Sequence, residues 1–376
     1  MAGIYIHIPF CKKACHYCNF HFSTSLKYKN ELLDALLKEI SLTPGKKDAV
    51  IETIYFGGGT PSILELDEIK KILSELGREF LILPDAEITL EANPDDISPE
   101  KAAAWLEAGI NRLSIGIQSF RETDLGWMNR SHTAQQARTA ILDIKKAGFT
   151  NFSIDMIFGT PGLSTEAWEA NIREALSLEI PHLSCYALTV EPKTALDKMI
   201  ALQKKEAPDP DLQAEQYLLL MDLLIEAGYE HYEISNFALP GMQSCHNRSY
   251  WLGKPYFGFG PAAHSFDGHS RKWNIAHNID YIKSVARGKI PFETETLSKV
   301  QQLNEYIMTS LRTSGGMNLE YISANWNEMI SLTLEKKAEP YFKIGKIVKS
   351  GNCLLLTREG KLFADGIASD LFMDEV

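Results

Sequence analysis

Six short apolar runs alternate with helical patterns through the first half of this chain, and no other feature limits its fold as much. The runs cover residues 3–8, 53–56, 86–91, 112–117, 151–158 and 182–188. Between them lie amphipathic stretches such as 28–42 and 64–76, with apolar residues at three- and four-residue steps. Strand then helix, repeated, predicts right-handed crossovers and a parallel sheet. Glu107-Ala108-Gly109, Lys146-Ala147-Gly148 and Glu226-Ala227-Gly228 each close a helical pattern just before the next segment. A glycine past a helix end takes the left-handed conformation that other residues resist. The units are too irregular for a solenoid. They fit an α/β fold with a curved or barrel-like sheet, full or partial.

In such a sheet, ligand chemistry collects at the C-terminal ends of the strands. Cys11, Cys15 and Cys18 follow the first run, and Gly57-Gly58-Gly59-Thr60-Pro61 follows the second. Glu91 ends the third, Gln118 follows the fourth, Asp155 lies in the fifth, and Tyr186 and Ala187 lie near the end of the sixth. Polar or glycine-rich signals thus fall at one end of six successive strands, as a single site requires.

The cysteines stand at a C-x3-C-x2-C spacing on one tight loop. Three thiolates can hold three irons of a [4Fe–4S] cluster and leave the fourth iron open to an outside ligand. A closed Cys3His zinc site using His16 or His21 is the competing reading, and spacing alone does not exclude it. The other three cysteines, Cys185, Cys245 and Cys353, are scattered, so no disulfide framework is expected, and a cytoplasmic setting fits.

Gly57-Gly58-Gly59 lets a backbone approach a ligand closely, and no Gly-Lys-Ser/Thr follows to make a phosphate loop. A ligand amine or carboxylate held on backbone groups is expected there. Glu91 and Asp155, at strand ends in a buried mouth, suit an ammonium group or a ribose hydroxyl, because buried carboxylates need partners. Arg130 would suit a carboxylate, with a surface ion pair as the plainer reading.

The second dense stretch is Cys245-His246-Asn247-Arg248-Ser249-Tyr250-Trp251. A neutral imidazole can ligate haem iron, aromatic rings can cover a porphyrin, and arginine can meet a propionate. On composition alone, a structural loop with a satisfied histidine is the better reading. Gly258-Phe259-Gly260 echoes a dinucleotide loop but lacks the flanking strand and helix, so it is set aside.

The chain has 376 residues, of which 45% are hydrophobic and 23% charged, which predicts a large domain and a smaller one. A net charge of -11 argues against a nucleic-acid surface. No apolar run reaches the roughly 18 residues of a membrane helix, and the start reads directly into a strand rather than a signal peptide. Residues 240–278 show no clean period. From 297 helical patterns return, with a strand at 352–357 and a helix at 358–371. Three units are expected: 1–235 with the cluster loop, 236–296 as a connecting region carrying the histidine motif, and 297–376 as a mainly helical, winged-helix-like domain.

Tyr5-Ile6-His7-Ile8-Pro9-Phe10 leading into the cysteine triplet, the Gly-Gly-Gly-Thr-Pro run and the strand-end residues resemble the radical S-adenosylmethionine (SAM) superfamily. Within it they resemble the oxygen-independent coproporphyrinogen III oxidase-like family, over nearly the whole length. The His246-Asn247-Arg248-x-Tyr250-Trp251 motif is similar to that of the family's haem-chaperone branch. The resemblance implies a partial (β/α)6 barrel and a cluster on Cys11, Cys15 and Cys18, with SAM on its open iron. By the same resemblance Tyr5, Gly58 and Glu91 contact SAM, and Gly59, Thr60, Gln118, Arg130 and Asp155 match SAM positions of the oxidase. His246 and Arg248 match haem positions. The oxidase carries a further cysteine two residues after the last cluster ligand, where this chain has Phe20. That departure, with only ten residues before Cys11, favours the chaperone branch. The branch implies haem b as cargo, handed to haem-requiring proteins such as respiratory enzymes, with a homodimer and peripheral membrane association as further expectations. Oxidative decarboxylation of coproporphyrinogen III is the alternative, and a zinc-bearing regulator a third.

Overall fold

The computed structural model describes residues 1–44 and 49–375. Six strands lie side by side in chain order, each parallel to the next: β1 (Ala2–Ile8), β2 (Val50–Gly58), β3 (Leu81–Ala92), β4 (Arg112–Gln118), β5 (Phe152–Phe158) and β6 (His182–Ala187). The helices between them are α1 (Lys29–Leu42), α2 (Leu66–Glu79), α3 (Pro99–Glu107), α4 (Glu122–Met128), α5 (Ala134–Ala147) and α6 (Thr165–Ser177). Gly109 and Gly148 stop α3 and α5 at φ of 98° and 104°.

Successive strand residues point to opposite faces, and the two faces here are chemically different. Ile4, Ile6 and Ile8, then Ile54 and Phe56, Leu113 and Ile115, and Phe152, Ile154 and Met156 join one apolar core with the helices. The alternate positions carry Tyr5 and His7, Thr53 and Tyr55, Glu87, Thr89 and Glu91, Arg112 and Ser114, Ser153 and Asp155, and His182 and Ser184. The sheet therefore turns a greasy face to the helices and a polar face to its own interior. A polar interior is costly unless its groups are bonded or reserved for a ligand.

The sheet runs to twelve strands. After α7 (Ala195–Ala201) and α8 (Pro210–Glu226), the hairpin β7 (Glu230–Glu233) and β8 (Asn236–Ala238) adds antiparallel to β6. α9 (Cys245–Trp251) follows, and β9 (Tyr256–Phe259) then returns to pair parallel with β1. β10 (His264–Phe266), β11 (Ser270–Asn274) and β12 (Phe292–Thr296) continue antiparallel, with α10 (Asn278–Ala286) packed on α1. The buried Glu39 of α1 ties this extension down, accepting from Gly260 N (2.8 Å), Asn274 Nδ2 (2.6 Å) and Tyr281 Oη (2.6 Å).

The region without a clean period is thus one helix and three strands of the main sheet. Strands of three to five residues show too few alternations to register as periodic. The expected break after residue 235 falls inside the β7–β8 hairpin. The C-terminal region holds α11 (Lys299–Leu311), β13 (Met317–Asn318), α12 (Leu319–Asn325), α13 (Glu328–Lys343), β14 (Ile347–Ser350), β15 (Cys353–Leu356) and α14 (Ala364–Leu371). It has three antiparallel strands rather than a pair, and its own core of Leu303, Ile307, Leu334, Leu354 and Ile367. The single helix expected at 358–371 is a 3-10 turn over Gly360–Phe363 followed by α14. The whole is a mixed α/β fold, with a large, mainly parallel sheet and a small C-terminal antiparallel one. Among the described residues, no helix is long and apolar enough to cross a membrane.

Candidate functional site

A cavity of about 420 Å³ opens at the C-terminal ends of β1 to β6. Cys11, Cys15 and Cys18 line it together with Gly58, Gly59, Thr60, Glu91, Gln118, Arg130 and Asp155. Tyr186 and Ala187 stand on the far wall.

The cysteine loop is pinned by backbone bonds, Cys11 N to Ser23 O at 3.0 Å and His16 N to Met128 O at 3.2 Å. Burial raises the Cys11 thiol and pushes Cys18 up to about 11. A metal's charge would therefore be needed to hold both as thiolates. Donors already point at the sulfurs: Arg130 Nη1 lies 3.3 Å from Cys15 Sγ and Thr60 Oγ1 lies 3.5 Å from Cys11 Sγ. Such donors suit ligating thiolates. His16 Nδ1 is bonded to Trp127 O, His21 Nε2 to Asn278 Oδ1, and neither ring lines this cavity. The Cys3His set is therefore not assembled.

Glu91 and Asp155 face the same space. Glu91 accepts from Tyr55 Oη at 2.8 Å and from Gly58 N at 3.2 Å. Burial nevertheless pushes the Glu91 pKa up to about 7, against the Tyr55 bond and with the Asp155 charge adding to the rise. Burial lifts Asp155 to about 6, opposed by its Ser184 bond and the Arg112 charge. Neither carboxyl has an ion-pair partner among the described residues. Two acids that face one cavity and raise each other's cost of ionisation suit a cation there.

The glycine run spends its N–H groups within the protein. The N–H groups of Gly58, Gly59 and Thr60 go to Glu91, Ile8 O and Phe10 O, so none of the three remains to hold a ligand. At Gly59 an added Cβ would sit 2.6 Å from Phe10 O, and Gly58 has φ of 109°. These glycines let β2 pass close beneath the start of the cysteine loop. Arg130 is likewise committed to the protein, bonding Cys15, Asn93 Oδ1 (2.8 Å) and Gly116 O (2.8 Å). Its Nε alone is buried without a partner.

The histidine motif forms α9, whose N-terminus sits on Glu87 of β3. Glu87 accepts from Cys245 N (3.0 Å) and His246 N (2.9 Å), as a carboxylate at a helix N-terminus should. His246 is 1% exposed and stacks on Tyr55 at 4.9 Å. Its Nδ1 bonds Thr53 Oγ1 at 2.8 Å and its Nε2 bonds Tyr250 Oη at 2.9 Å. Burial and the Arg112 charge lower its pKa to about 3.

The sequence profile of the Radical SAM superfamily matches residues 5–175. "Heme chaperone HemW" of Bacillus subtilis is 34% identical over 98% of this chain and 98% of its own length. The chain belongs to the HemW family. The HemW of Haemophilus influenzae is 30% identical, covering 99% of this chain and 98% of its own. A mitochondrial radical S-adenosyl methionine domain-containing protein 1 of mouse is 33% identical over 85% of this chain and 75% of its own. Among solved structures, coproporphyrinogen III oxidase of Escherichia coli superposes with a TM-score of 0.86 at 22% identity, covering 99% of this chain and 90% of that one. That likeness establishes the fold.

For this HemW-family chain the structure redraws part of the expected site. Tyr5 does not line the cysteine cavity; its hydroxyl bonds His7 Nδ1 at 3.1 Å and it faces a neighbouring cavity. His246 has both ring nitrogens bonded within the core, to Thr53 and Tyr250. Arg248 is exposed and lines neither cavity. From the same motif it is Asn247 that reaches the cysteine cavity. Sequence reading also missed Ser114, Ser184 and Tyr55, all on the cavity wall. Each lies one residue on from a core position, Leu113, Leu183 or Ile54, so strand alternation would have placed them on the inner face. Asn93 carried no such signal, since it lies beyond the strand.

Proposed function

We propose that this chain binds haem and transfers it to haem-requiring acceptor proteins, and that it carries a [4Fe–4S] cluster liganded by SAM. What carries the reading is a HemW-family sequence of matching length whose three loop cysteines share one cavity with two unpaired, buried carboxyls. Cys11, Cys15 and Cys18 would hold the cluster. An open cluster iron binds an amine and a carboxylate and can pass on an electron. Glu91 and Asp155 would then meet the ammonium and ribose of SAM, with Gln118 and the 58–60 segment shaping the floor. Arg130 would act on the sulfur of Cys15 rather than on a carboxylate.

The six sequential βα units are read as a partial (β/α)6 barrel, and 297–376 as a winged-helix-like unit. Residues 236–296 are grouped with the barrel, whose sheet they extend. The protein would work in the cytoplasm, with respiratory enzymes as acceptors and with homodimer formation and peripheral membrane contact as parts of delivery.

Anaerobic reconstitution followed by haem titration tests the reading. Protein with labile sulfide, a SAM-dependent change in the spectrum of the reduced cluster and saturable one-to-one haem uptake is expected, with Cys15→Ala stripping most of the iron. Stoichiometric zinc without sulfide, or no saturable haem binding, would refute it.

A further inference from the structure

A second cavity of about 460 Å³ adjoins the first, and Asn19 and Phe20 line both. Its wall is largely aromatic, with Tyr5, Phe20, Tyr250 and Tyr256 beside three imidazoles, those of His7, His21 and His264. This size and lining suit a flat, mostly apolar ligand. Phe20 is 66% exposed on the partition, where such a ligand would cover it.

The three imidazoles are not equivalent. His7 is used on both nitrogens, Nδ1 to Tyr5 Oη at 3.1 Å and Nε2 to His21 O at 2.9 Å. His21 is fixed through Nε2 by Asn278 at 2.7 Å. His264, on β10, is exposed and makes no side-chain hydrogen bond among the described residues. Its ring is supported flat against Trp273 of β11, 6.1 Å between centroids and 27° apart. An imidazole with open nitrogens, backed by a rigid strand pair, is what an iron ligand requires. Burial and the Arg271 charge hold His264 below the ordinary histidine pKa, so the neutral, ligating form prevails near neutrality. Arg271 also acts on Tyr256, which places its charge beside this wall, where a propionate would need it. It is paired at 2.7 Å with Glu305, a partly exposed bond that a propionate could replace.

The motif of α9 reaches this cavity through Tyr250, with His246 at one remove. His246 bonds the Tyr250 hydroxyl, and Tyr250 packs edge-on against Tyr256 with centroids 4.7 Å apart. Both tyrosines belong to the wall.

We infer that the second cavity is the haem site, that His264 supplies the axial imidazole, and that His246 is a positioning residue that holds Tyr250 in the wall. The inference rests on the haem-binding reading above and adds where haem sits and which side chain meets its iron.

The test titrates the full-length, cluster-loaded protein with haem and reads affinity and the Soret band. His264→Gly should weaken binding at least tenfold and shift the Soret band, and added imidazole should restore the wild-type spectrum. His246→Ala should weaken binding a few-fold with the Soret band in place, and His246→Gln, which can still bond Tyr250, should recover part of the loss. Iron, sulfide and the SAM response should persist in all three, which controls for folding. Wild-type affinity and spectrum in His264→Gly would overturn the inference alone. So would loss of the axial-imidazole signature in His246→Ala. No saturable haem binding by the wild type would remove the haem reading itself.

Discussion

Glu91 shows how a single residue can be held ready at a thermodynamic cost. Its carboxyl is bonded by Tyr55 and Gly58, yet its pKa is raised from 4.5 to about 7 because burial and Asp155 outweigh those bonds. The folded chain therefore holds more protons than the unfolded chain between those values. Stability falls as pH rises through that window, the reverse of a salt-bridged carboxylate. In SAM-free protein Glu91→Gln should flatten this slope. It should raise stability at pH 8 by on the order of 1–2 kcal/mol, a figure reduced from the full shift because Glu91 is only half-buried. The same variant should bind SAM at least tenfold more weakly, since an ammonium would lose a charged acceptor. Thermal melts between pH 5 and 8, with and without SAM, read both effects. A variant that melts below wild type at pH 8 with an unchanged slope would mean that Glu91 is stabilising as an anion.

At the scale of the element, α9 is a seven-residue helix that cannot be stable alone. It is fixed by Ser244, whose hydroxyl accepts from Asn247 N at 3.2 Å, and by Glu87, which receives its first two N–H groups. Glu87 also lies 3.9 Å from the buried Arg112, whose guanidinium nitrogens have no hydrogen-bond partner. Glu87→Gln would leave one acceptor where the helix N-terminus now has two, and would remove the carboxylate nearest that buried cation. A loss of about 3 kcal/mol is expected in urea unfolding. Glu52→Gln, which breaks the partly exposed Lys254–Glu52 pair, should cost less than about 1 kcal/mol. Equal effects of the two substitutions would mean that the interior charges are screened as if at the surface.

At the scale of the whole molecule, the fold is shared with an oxidase while the family is that of a chaperone. One difference between them is local. Phe20 stands two residues after Cys18, on the partition between the cavities, where the oxidase resemblance calls for a further cysteine. An apolar ring there can cover a ligand but cannot exchange protons or electrons with one. With SAM and a strong reductant under anaerobic conditions, the protein should release no carbon dioxide from coproporphyrinogen III above a no-enzyme control. Turnover to protoporphyrinogen, in step with 5′-deoxyadenosine, would place the chain functionally with the oxidase.

Much of this was written locally. The six βα units, the helix stops at Gly109 and Gly148, and the gathering of Cys11, Glu91, Gln118 and Asp155 at one end of the sheet follow from periodicity and strand parity, which neighbouring residues set among themselves. The short strands β9 to β11 did not show, because their pairing partners lie far away in sequence and too few residues alternate. Nor did the direction in which a side chain is spent. Arg130, whose plainer reading was a surface ion pair, turns inward to a cysteine sulfur, and the N–H groups of Gly58, Gly59 and Thr60 go to Glu91, Ile8 O and Phe10 O. On composition His246 read best as a satisfied histidine, and the resemblance made it a haem residue. Only the packing of α9 against β2 and β3 showed that Thr53 and Tyr250 take both its nitrogens, while His264, unremarkable in sequence, keeps both open among the described residues. A residue's chemistry is fixed by its type, but whether that chemistry is free depends on which distant groups the fold brings within about 3 Å.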